Sequence, residues 1–360
     1  MAWRFLLPVI AVVSMLWPLD AARAHNIPGS SRAMLAPVTR MAATSQLDLL
    51  QSCFTPTGTS GSYIASGALA DRPLERNSPE LRRTDGYGSV GTTATAGQLQ
   101  VSGGVTITGA EYGSGPTSSR YDLRTGNFCL SRQFDLSVGA LLLGVGANFE
   151  SGDGKSQYDR GSLSHGGGGG SIFAAYFLGP NTRLFAAAGG TALSFDASRG
   201  SGQISGSFGA SRWFGMIGAS HRFELDRIFL DTTAGLRYVS FNAASYQETG
   251  IGYGISAPGL VPAYRFDMLL AQLEGRLGYR FGAVSPYVLA GVSRDFARGA
   301  TLPAALLDTS LANAGRTIGF AGGGIEALLP GGFVGVEARA LTGSQSWNGW
   351  QVTGRFGLTF

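Results

Sequence analysis

The chain closes on the stretch "GWQVTGRFGLTF", residues 349–360, in which apolar and polar side chains alternate. One face carries apolar residues or Gly, which counting back from the terminus are Phe360, Leu358, Phe356, Gly354, Val352 and Trp350. The residues between them are small, polar or charged. Because successive side chains of a β-strand point to opposite sides, the stretch predicts a strand with one apolar and one polar face. The chain stops on this strand, so we expect another strand to pair with its open edge.

The first 24 residues have the pattern of a secretory signal peptide. Arg4 supplies a positive charge, residues 5–17 are apolar, and Ala22 and Ala24 provide the small residues of a cleavage site. A membrane-spanning helix is the competing interpretation, but such a helix needs roughly 17 to 25 apolar residues. We therefore predict a cleaved signal peptide at 1–24 and a mature chain that begins at His25.

Composition narrows the fold class. Gly accounts for 56 of 360 residues, charged residues for 14%, and the mean hydropathy is +0.11, which is apolar for an ordinary soluble protein. After residue 24 no uninterrupted apolar run reaches the roughly 18 residues of a membrane helix. Two classes remain, a large soluble all-β domain and a membrane β-barrel, in which every second residue of a strand faces the lumen and dilutes the apolar signal.

Strands and connections favour the barrel. Twelve strand-like runs start near Gln98, Tyr121, Leu136, Gly169, Arg183, Ile204, Arg227, Arg265, Ser285, Arg316, Gly332 and Asn348. Tight turns are predicted at 179–182, 224–226, 282–284 and 330–331, and long loops at 151–168, 242–264 and 297–315, with shorter ones at 196–203 and 342–347. Short and long connections thus alternate, as in outer-membrane barrels with periplasmic turns and extracellular loops. We predict an all-β, transmembrane antiparallel barrel of about twelve strands over 98–360, in which the last strand pairs with the first.

The sequence resembles the translocator barrel of bacterial autotransporters. The resemblance covers 98–360 and is carried by the twelve runs and by Gly-aromatic strand ends such as "GYRFG", "SPYVLAGVSRDF" and "GRFGLTF". It implies that the terminal strand is the signal read by the barrel-assembly machinery, through Trp350, Val352, Phe356, Leu358 and Phe360. Members of the family usually carry a long passenger before the barrel, whereas here residues 25–97 are all that precedes it. We therefore expect a pore or secretion barrel with little or no passenger.

The segment 25–97 is rich in Ser, Thr, Gly, Ala and Pro and contains a candidate helix at 38–52, "VTRMAATSQLDLLQS", followed by a flexible stretch through Thr95. In the family, a helix before the barrel threads the pore. The resemblance therefore places this helix in the lumen as a plug, where Asp48 could meet an excess of Arg.

Strand alternation assigns a set of charged residues to the lumen. They are Asp231, Arg237, Glu274, Arg276, Arg280, Glu337, Arg339 and Arg355. The excess of Arg agrees in sign with the formal net charge of +4 and the pI near 9.2. Two interpretations stay open: a ladder of ion pairs that braces a narrow barrel, or a basic pore that favours anions.

No catalytic or metal-binding pattern is recognised. The three His are His25, His165 and His221, and Ser164 beside His165 lacks the geometry and the orienting acid of a Ser-His pair. The Gly run 166–170 is interpreted as part of a mobile loop, with His165 solvated in it. The stretch "GDGKS" at 152–156 lacks the first Gly of a phosphate-binding loop, because Phe149 stands there. We predict no enzyme activity, no metal and no cofactor.

The only two Cys are Cys53 and Cys129, and an exported pair can form a disulfide. Against this pairing, Asp122 and Arg124 suggest that the even positions of their strand face the lumen, which would turn Cys129 towards lipid. Both the disulfide and two isolated thiols remain open.

Two functions remain from different classes. The first is an outer-membrane translocator or plugged pore, and the alternative is a structural or adhesive barrel with a closed interior and extracellular loops. Expected partners are outer-membrane lipid, lipopolysaccharide and the barrel-assembly machinery. The Arg residues are spread over strands rather than clustered, so nucleic acid is not expected, and the protein is predicted to be monomeric.

Overall fold

A computed structural model of the protein describes residues 28–54, 99–113, 118–157, 159–253, 255–301, 316–344 and 346–360. The predicted signal peptide at 1–24 and the stretch between the candidate helix and the barrel lie outside the described residues.

Twelve long strands form the body of the fold. They are β1 (Leu99–Tyr112), β2 (Ser119–Asp135), β3 (Ala140–Ser156), β4 (Gly161–Leu178), β5 (Thr182–Arg199), β6 (Ile204–Leu225), β7 (Ile228–Ala243), β8 (Tyr264–Tyr279), β9 (Val284–Thr301), β10 (Thr317–Leu329), β11 (Gly332–Gly343) and β12 (Trp347–Thr359). Three two-residue strands, Tyr246–Gln247, Thr249–Gly250 and Leu260–Val261, lie between β7 and β8. The predicted starts agree with these bounds to within four residues, except at β4.

The twelve strands close on themselves. Each is antiparallel to its neighbours, β5 pairs with β6, and β12 pairs with β1 so that Val101 lies opposite Leu358. The terminal strand is therefore paired on both sides, by β11 and β1. This confirms the predicted antiparallel barrel and the pairing of its last strand with its first.

The wall has an apolar outer face and a mixed inner face. Along β8, Leu273 is 57% exposed on the outside, whereas the neighbouring Gln272 and Glu274 are buried inside. Ile217 and Val336 are more than half exposed on the same outer surface. Such a continuous apolar exterior is what a lipid environment requires and what a soluble protein avoids.

The connections differ between the two ends of the barrel. At one end they are tight, at 136–139, 179–181, 226–227, 280–283 and 330–331, and both chain ends of the barrel meet there, where the Phe360 amide donates to the Leu99 carbonyl at 3.0 Å. Gly179 and Gly282 have φ of 73° and 59°, a left-handed conformation that favours Gly in such turns. The opposite end carries the long connection 244–263 beside short ones such as 200–203. By the rule for outer-membrane barrels, the tight-turn end is periplasmic.

The predicted long loop at 151–168 is wrong. β3 continues to Ser156 and β4 begins at Gly161, so the Gly run lies in a strand rather than in a mobile loop. A Cβ at Gly169 would lie 1.9 Å from the Gly190 carbonyl oxygen on β5. At Gly167 and Gly169 the backbone of β5 approaches so closely that only Gly fits.

The face assignment of β2 is also wrong. Asp122 and Arg124 are exposed on the outside, whereas Tyr121, Leu123 and Cys129 point inward and are fully buried. These charges lie near the long-loop end of the strand, beyond its apolar outer residues Phe128 and Leu130, so they can face outward without facing hydrocarbon.

A helix occupies the lumen, as the resemblance implies. A 3-10 turn, Ser30–Met34, leads into α1, Leu35–Cys53, which extends a few residues beyond the predicted 38–52. Most of α1 is buried by the surrounding strands. None of the described helices has the length and hydropathy of a membrane-spanning helix.

Candidate functional site

The long-loop end of the helix segment is held by the connection between β7 and β8. The Arg32 guanidinium lies 4.9 Å from the ring centroids of both Phe208 and Tyr246. It also donates hydrogen bonds to the carbonyl of Ala244, at 2.6 Å, and to that of Pro262. Arg32 is 1% exposed, so the site is dry and each contact is worth more than it would be in water.

Two buried carboxylates complete this upper contact. Glu248 accepts a hydrogen bond from the Gly29 amide at 3.0 Å and forms a salt bridge of 2.8 Å with Arg199. Asp159, in the turn between β3 and β4, accepts a hydrogen bond of 2.8 Å from the Ser30 hydroxyl. Burial raises the pKa of Asp159, and the hydrogen bonds from Ser30 and the Gly161 amide oppose that rise. The segment before α1 is thus held at this end by specific contacts with the wall and the connection 244–263.

At mid-height, the wall holds the amide of Gln46 from both sides. Its nitrogen donates to Glu150 at 2.7 Å, and its oxygen accepts from Arg212 at 2.7 Å. Glu150 in turn pairs with Arg212 and lies 3.0 Å from the His165 ring nitrogen. The side chains of all three wall residues are essentially inaccessible to solvent.

His165 therefore differs from its prediction as a solvated loop residue. It lies in β4, is buried, and bridges Glu150 and the Tyr121 hydroxyl through its two ring nitrogens. Ser164 is its sequence neighbour on the opposite face of the strand, so the two cannot act as a pair. The position of His165 serves the contact between wall and helix.

Two residues further along α1, about half a turn, Asp48 meets the predicted Arg cluster. Its carboxylate lies 2.6 Å from Arg237 on β7 and 3.4 Å from Arg339 on β11. These two strands are on opposite sides of β8 to β10 in the sheet. A single helix carboxylate thus connects separate parts of the wall.

The remaining lumen charges form a network beside the helix. Arg276 contacts Glu274 at 3.0 Å and Glu337 at 3.2 Å, and Arg339 contacts the same two carboxylates. Arg355 reaches Glu337 at 3.9 Å and also bonds the Tyr287 hydroxyl, which donates to Glu337. This is the geometry expected of an ion-pair ladder, in which each Arg has an acidic partner.

The last two predicted lumen residues lie nearer the periplasmic rim. Asp231 forms a two-point contact with Arg222, with distances of 2.6 and 2.7 Å, and Arg280 pairs with Glu224. Between these residues, the network and the helix, a cavity of about 160 Å³ remains. That volume admits a few water molecules or a small ion but no folded segment.

A disulfide and an aromatic cluster fix the periplasmic end of α1. The structure joins Cys53 to Cys129 of β2, with their Cα atoms 6.1 Å apart. Phe54 stacks on Phe185 at 5.2 Å and meets the edge of Phe173 at 5.4 Å. The helix is thereby held at its upper end, at its middle and, covalently, at its lower end.

The residues of the predicted assembly signal lie on the outer face of β12. Trp350, Val352, Leu358 and Phe360 are exposed to the surroundings of the barrel, Phe360 at 73%, and Phe356 is half-buried.

Sequence reasoning missed much of the site: Gln46, Arg32, Glu150, Arg199, Arg212 and Glu248. β3, β4 and β5 are so rich in Ala, Gly and Leu that alternation does not reveal which face is inside. Glu150 and Arg199 become recognisable as lumen residues only once the register of these strands is known. Arg212 could have been found from its place in β6, where inward Phe208, Phe214 and Met216 share its parity.

The chain belongs to the autotransporter β-domain family, whose model matches residues 101–338. Its fold is similar to the translocator domain of autotransporter NalP from Neisseria meningitidis, with a TM-score of 0.59, 13% identity, and coverage of 84% of this chain and 95% of that one. The β-domain of the Bordetella autotransporter BrkA is also similar, with a TM-score of 0.57, 16% identity, and coverage of 74% of this chain and 100% of that one. No curated protein sequence matches this chain.

The family and the geometry together define an autotransporter translocator barrel with a helix in its lumen, and the fold supports location in the outer membrane. The alternative expectation, a structural or adhesive barrel, is no better supported by these comparisons.

Proposed function

We propose that this translocator barrel is a closed pore, in which α1 is a plug that stays in place under oxidising conditions. The observation that carries the proposal is the attachment of the helix segment at three heights: Arg32 at the extracellular end, Asp48 at the middle, and Cys53 at the periplasmic end. A twelve-stranded barrel without a helix would otherwise contain water. With the helix in place, the described lumen beside the ion-pair network retains a cavity of only about 160 Å³.

The lumen residues brace this closed state. Arg237 and Arg339 attract Asp48, while Glu274 and Glu337 hold Arg339 in position. If the helix is removed, Asp48 leaves with it and the wall keeps its excess of Arg. The open barrel should therefore prefer anions.

Conductance in planar lipid bilayers tests the proposal. We expect a variant that lacks residues 25–90 to insert as a barrel with a larger, mildly anion-selective conductance than the full-length chain. Cys53→Ser, which removes the disulfide but keeps the helix, is the control for loss of the covalent bond alone. Equal conductance of the full-length and truncated proteins would show that the helix does not close the pore.

Export and assembly belong to the same proposal. A cleaved signal peptide at 1–24 delivers the chain to the periplasm, and the outward residues Trp350, Val352, Phe356, Leu358 and Phe360 present the assembly signal to the barrel-assembly machinery. The mature protein is a monomer without enzyme activity, surrounded by outer-membrane lipid and lipopolysaccharide. Fractionation with outer membranes and heat-modifiable migration in gels test this part, and recovery from the soluble periplasm would contradict it.

A further inference from the structure

The outer wall of the barrel carries an apolar trough of about 950 Å³ on its periplasmic half. Two adjacent rows of outward side chains line it, each row made of residues that lie opposite one another on successive strands. The lower row, from β2 to β7, consists of Arg132, Leu143, Ala174, Ala186, Ile217 and Leu236. Large side chains flank the trough and small ones form its floor. In the second row, two residues further from the periplasmic rim, Ala188 and Gly215 lie opposite each other and continue the small residues of β4 and β5.

The lower row is oblique to the membrane. Arg132 lies three residues from Asp135, where β2 ends, whereas Ile217 lies eight residues from Leu225, where β6 ends. At roughly 3.3 Å per residue and a strand tilt of roughly 40°, this difference corresponds to a rise of about 13 Å. Half of the hydrocarbon core of a bilayer measures about 15 Å. The trough therefore leads from the periplasmic head groups almost to the centre of the membrane.

The low end of the trough is cationic. Arg132 is exposed on the outside of β2, and its guanidinium lies 5.6 Å from the ring centroid of Phe134. Among the described strand residues it is the one Arg or Lys that faces outward in the periplasmic half, and no described carboxylate forms a salt bridge with it. A guanidinium at head-group depth, beside an aromatic ring, is suited to an anionic phosphate.

We propose that the trough is a binding site for a glycerophospholipid of the periplasmic leaflet. The phosphate lies against Arg132, and one acyl chain rises along the floor formed by Ala174, Ala186 and Ala188. The direction of the trough is that of a lipid in this leaflet, with its head at the interface and its tail at the midplane. A second copy of the barrel is a poor occupant, because two concave surfaces placed face to face leave space between them.

Native mass spectrometry of the full chain in detergent, titrated with phosphatidylglycerol, tests the site. Arg132→Gln removes the phosphate contact, and Ala188→Leu fills the floor of the trough. Each should weaken binding about threefold to tenfold, the range expected for a partly exposed charge-assisted contact or a blocked chain site. Arg124→Gln is the matched control, since Arg124 also faces outward on β2 but near its extracellular end, and it should bind lipid like the unchanged protein. Arg132→Lys should retain most of the binding.

Heat-modifiable migration shows whether each variant has folded. Equal lipid binding by the unchanged protein, Arg132→Gln, Ala188→Leu and Arg124→Gln would overturn the proposal, because it would indicate non-specific annular lipid. So would a dimer of the unchanged protein that Ala188→Leu abolishes, which would make the trough a self-association surface. Selective retention of lipopolysaccharide instead of phospholipid would also overturn it, since that lipid belongs to the other leaflet.

Discussion

Replacing Asp48 by Ala is the sharpest test of how the helix is held. Asp48 is the carboxylate within 2.6 Å of Arg237, whose side chain is only 2% exposed. Without it, Arg237 remains buried in the wall without this partner, and Arg339 loses one of its three carboxylates. Removing one member of a buried ion pair costs about 3 to 5 kcal/mol. Because 1.4 kcal/mol is a factor of ten, the docked helix should be disfavoured by roughly two to three and a half orders of magnitude.

The disulfide determines under which conditions the loss of the Asp48 contacts changes the conductance. While Cys53 is bonded to Cys129, the lower end of the helix cannot leave the wall, so Asp48→Ala should conduct almost like the unchanged protein. After addition of a phosphine reductant on the periplasmic side of a planar bilayer, the variant should open frequently, whereas the unchanged protein should remain mostly closed. Asp153→Ala, which removes an exposed carboxylate from the outside of β3, is the matched control. If reduced Asp48→Ala conducts no more than reduced Asp153→Ala, the contact with Arg237 and Arg339 does not hold the plug.

Further predictions concern assembly, the polar cluster and the upper contact. Phe360→Asp should lower outer-membrane levels in cell fractions, because it places a charge in the assembly signal; normal levels would contradict that role. Glu150→Gln leaves the buried Arg212 without its carboxylate and should destabilise the docked state by about 3 to 5 kcal/mol, measured as a lower temperature of heat modification; an unchanged temperature would argue against the cluster. Asp159→Asn should cost little or stabilise the fold at neutral pH. Burial raises the pKa of Asp159 in the folded protein above its value in the unfolded chain, so the ionised carboxylate is disfavoured in the fold. The contribution of Asp159 to stability is therefore present below the pKa of the unfolded chain and falls as the pH rises above it. A large loss of stability in Asp159→Asn at pH 7 that vanishes near pH 4 would contradict this direction.

The fold was largely predictable from sequence because a barrel repeats one local rule. In β11 the alternation is clear, since its charged residues Glu337 and Arg339 occupy one face only, and in β8 it is clear where inward Glu274 alternates with outward Leu273. The same rule failed in β2, where Asp122 and Arg124 lie outside the apolar band and point outward. It assigned no face in β4, whose Gly run is typical of loops when seen in sequence alone. The close approach of β5 requires Gly at positions 167 and 169 of that run.

The candidate site was less predictable because it depends on pairs of residues that are distant in sequence. Asp48 could be matched to an excess of lumen Arg, but the alternation gives no reason to choose Arg237 and Arg339 among them. Gln46 is an unremarkable residue of a weakly amphipathic helix. Only the combined registers of β3 to β6, which bring Glu150 and Arg212 together, show that these residues bond the two ends of its amide.

The two sides of the lumen explain why this helix is stable inside the barrel. On the β2 to β6 side, the wall is apolar near the periplasm, and Leu47, Leu50 and Phe54 pack there with Phe173 and Phe185. On the opposite side the wall carries the Arg and Glu network, and Asp48 points to it. Most of the stability of a helix in a protein comes from tertiary packing rather than from its own propensity, so the wall supplies most of the stability of α1. A helix with these two faces reversed would place a carboxylate against Phe rings and Leu against buried guanidinium groups, at a cost of several kcal/mol for the unpaired charges alone. The fit between helix and wall therefore selects one rotation of α1 in the lumen, and the disulfide at Cys53 then fixes its height.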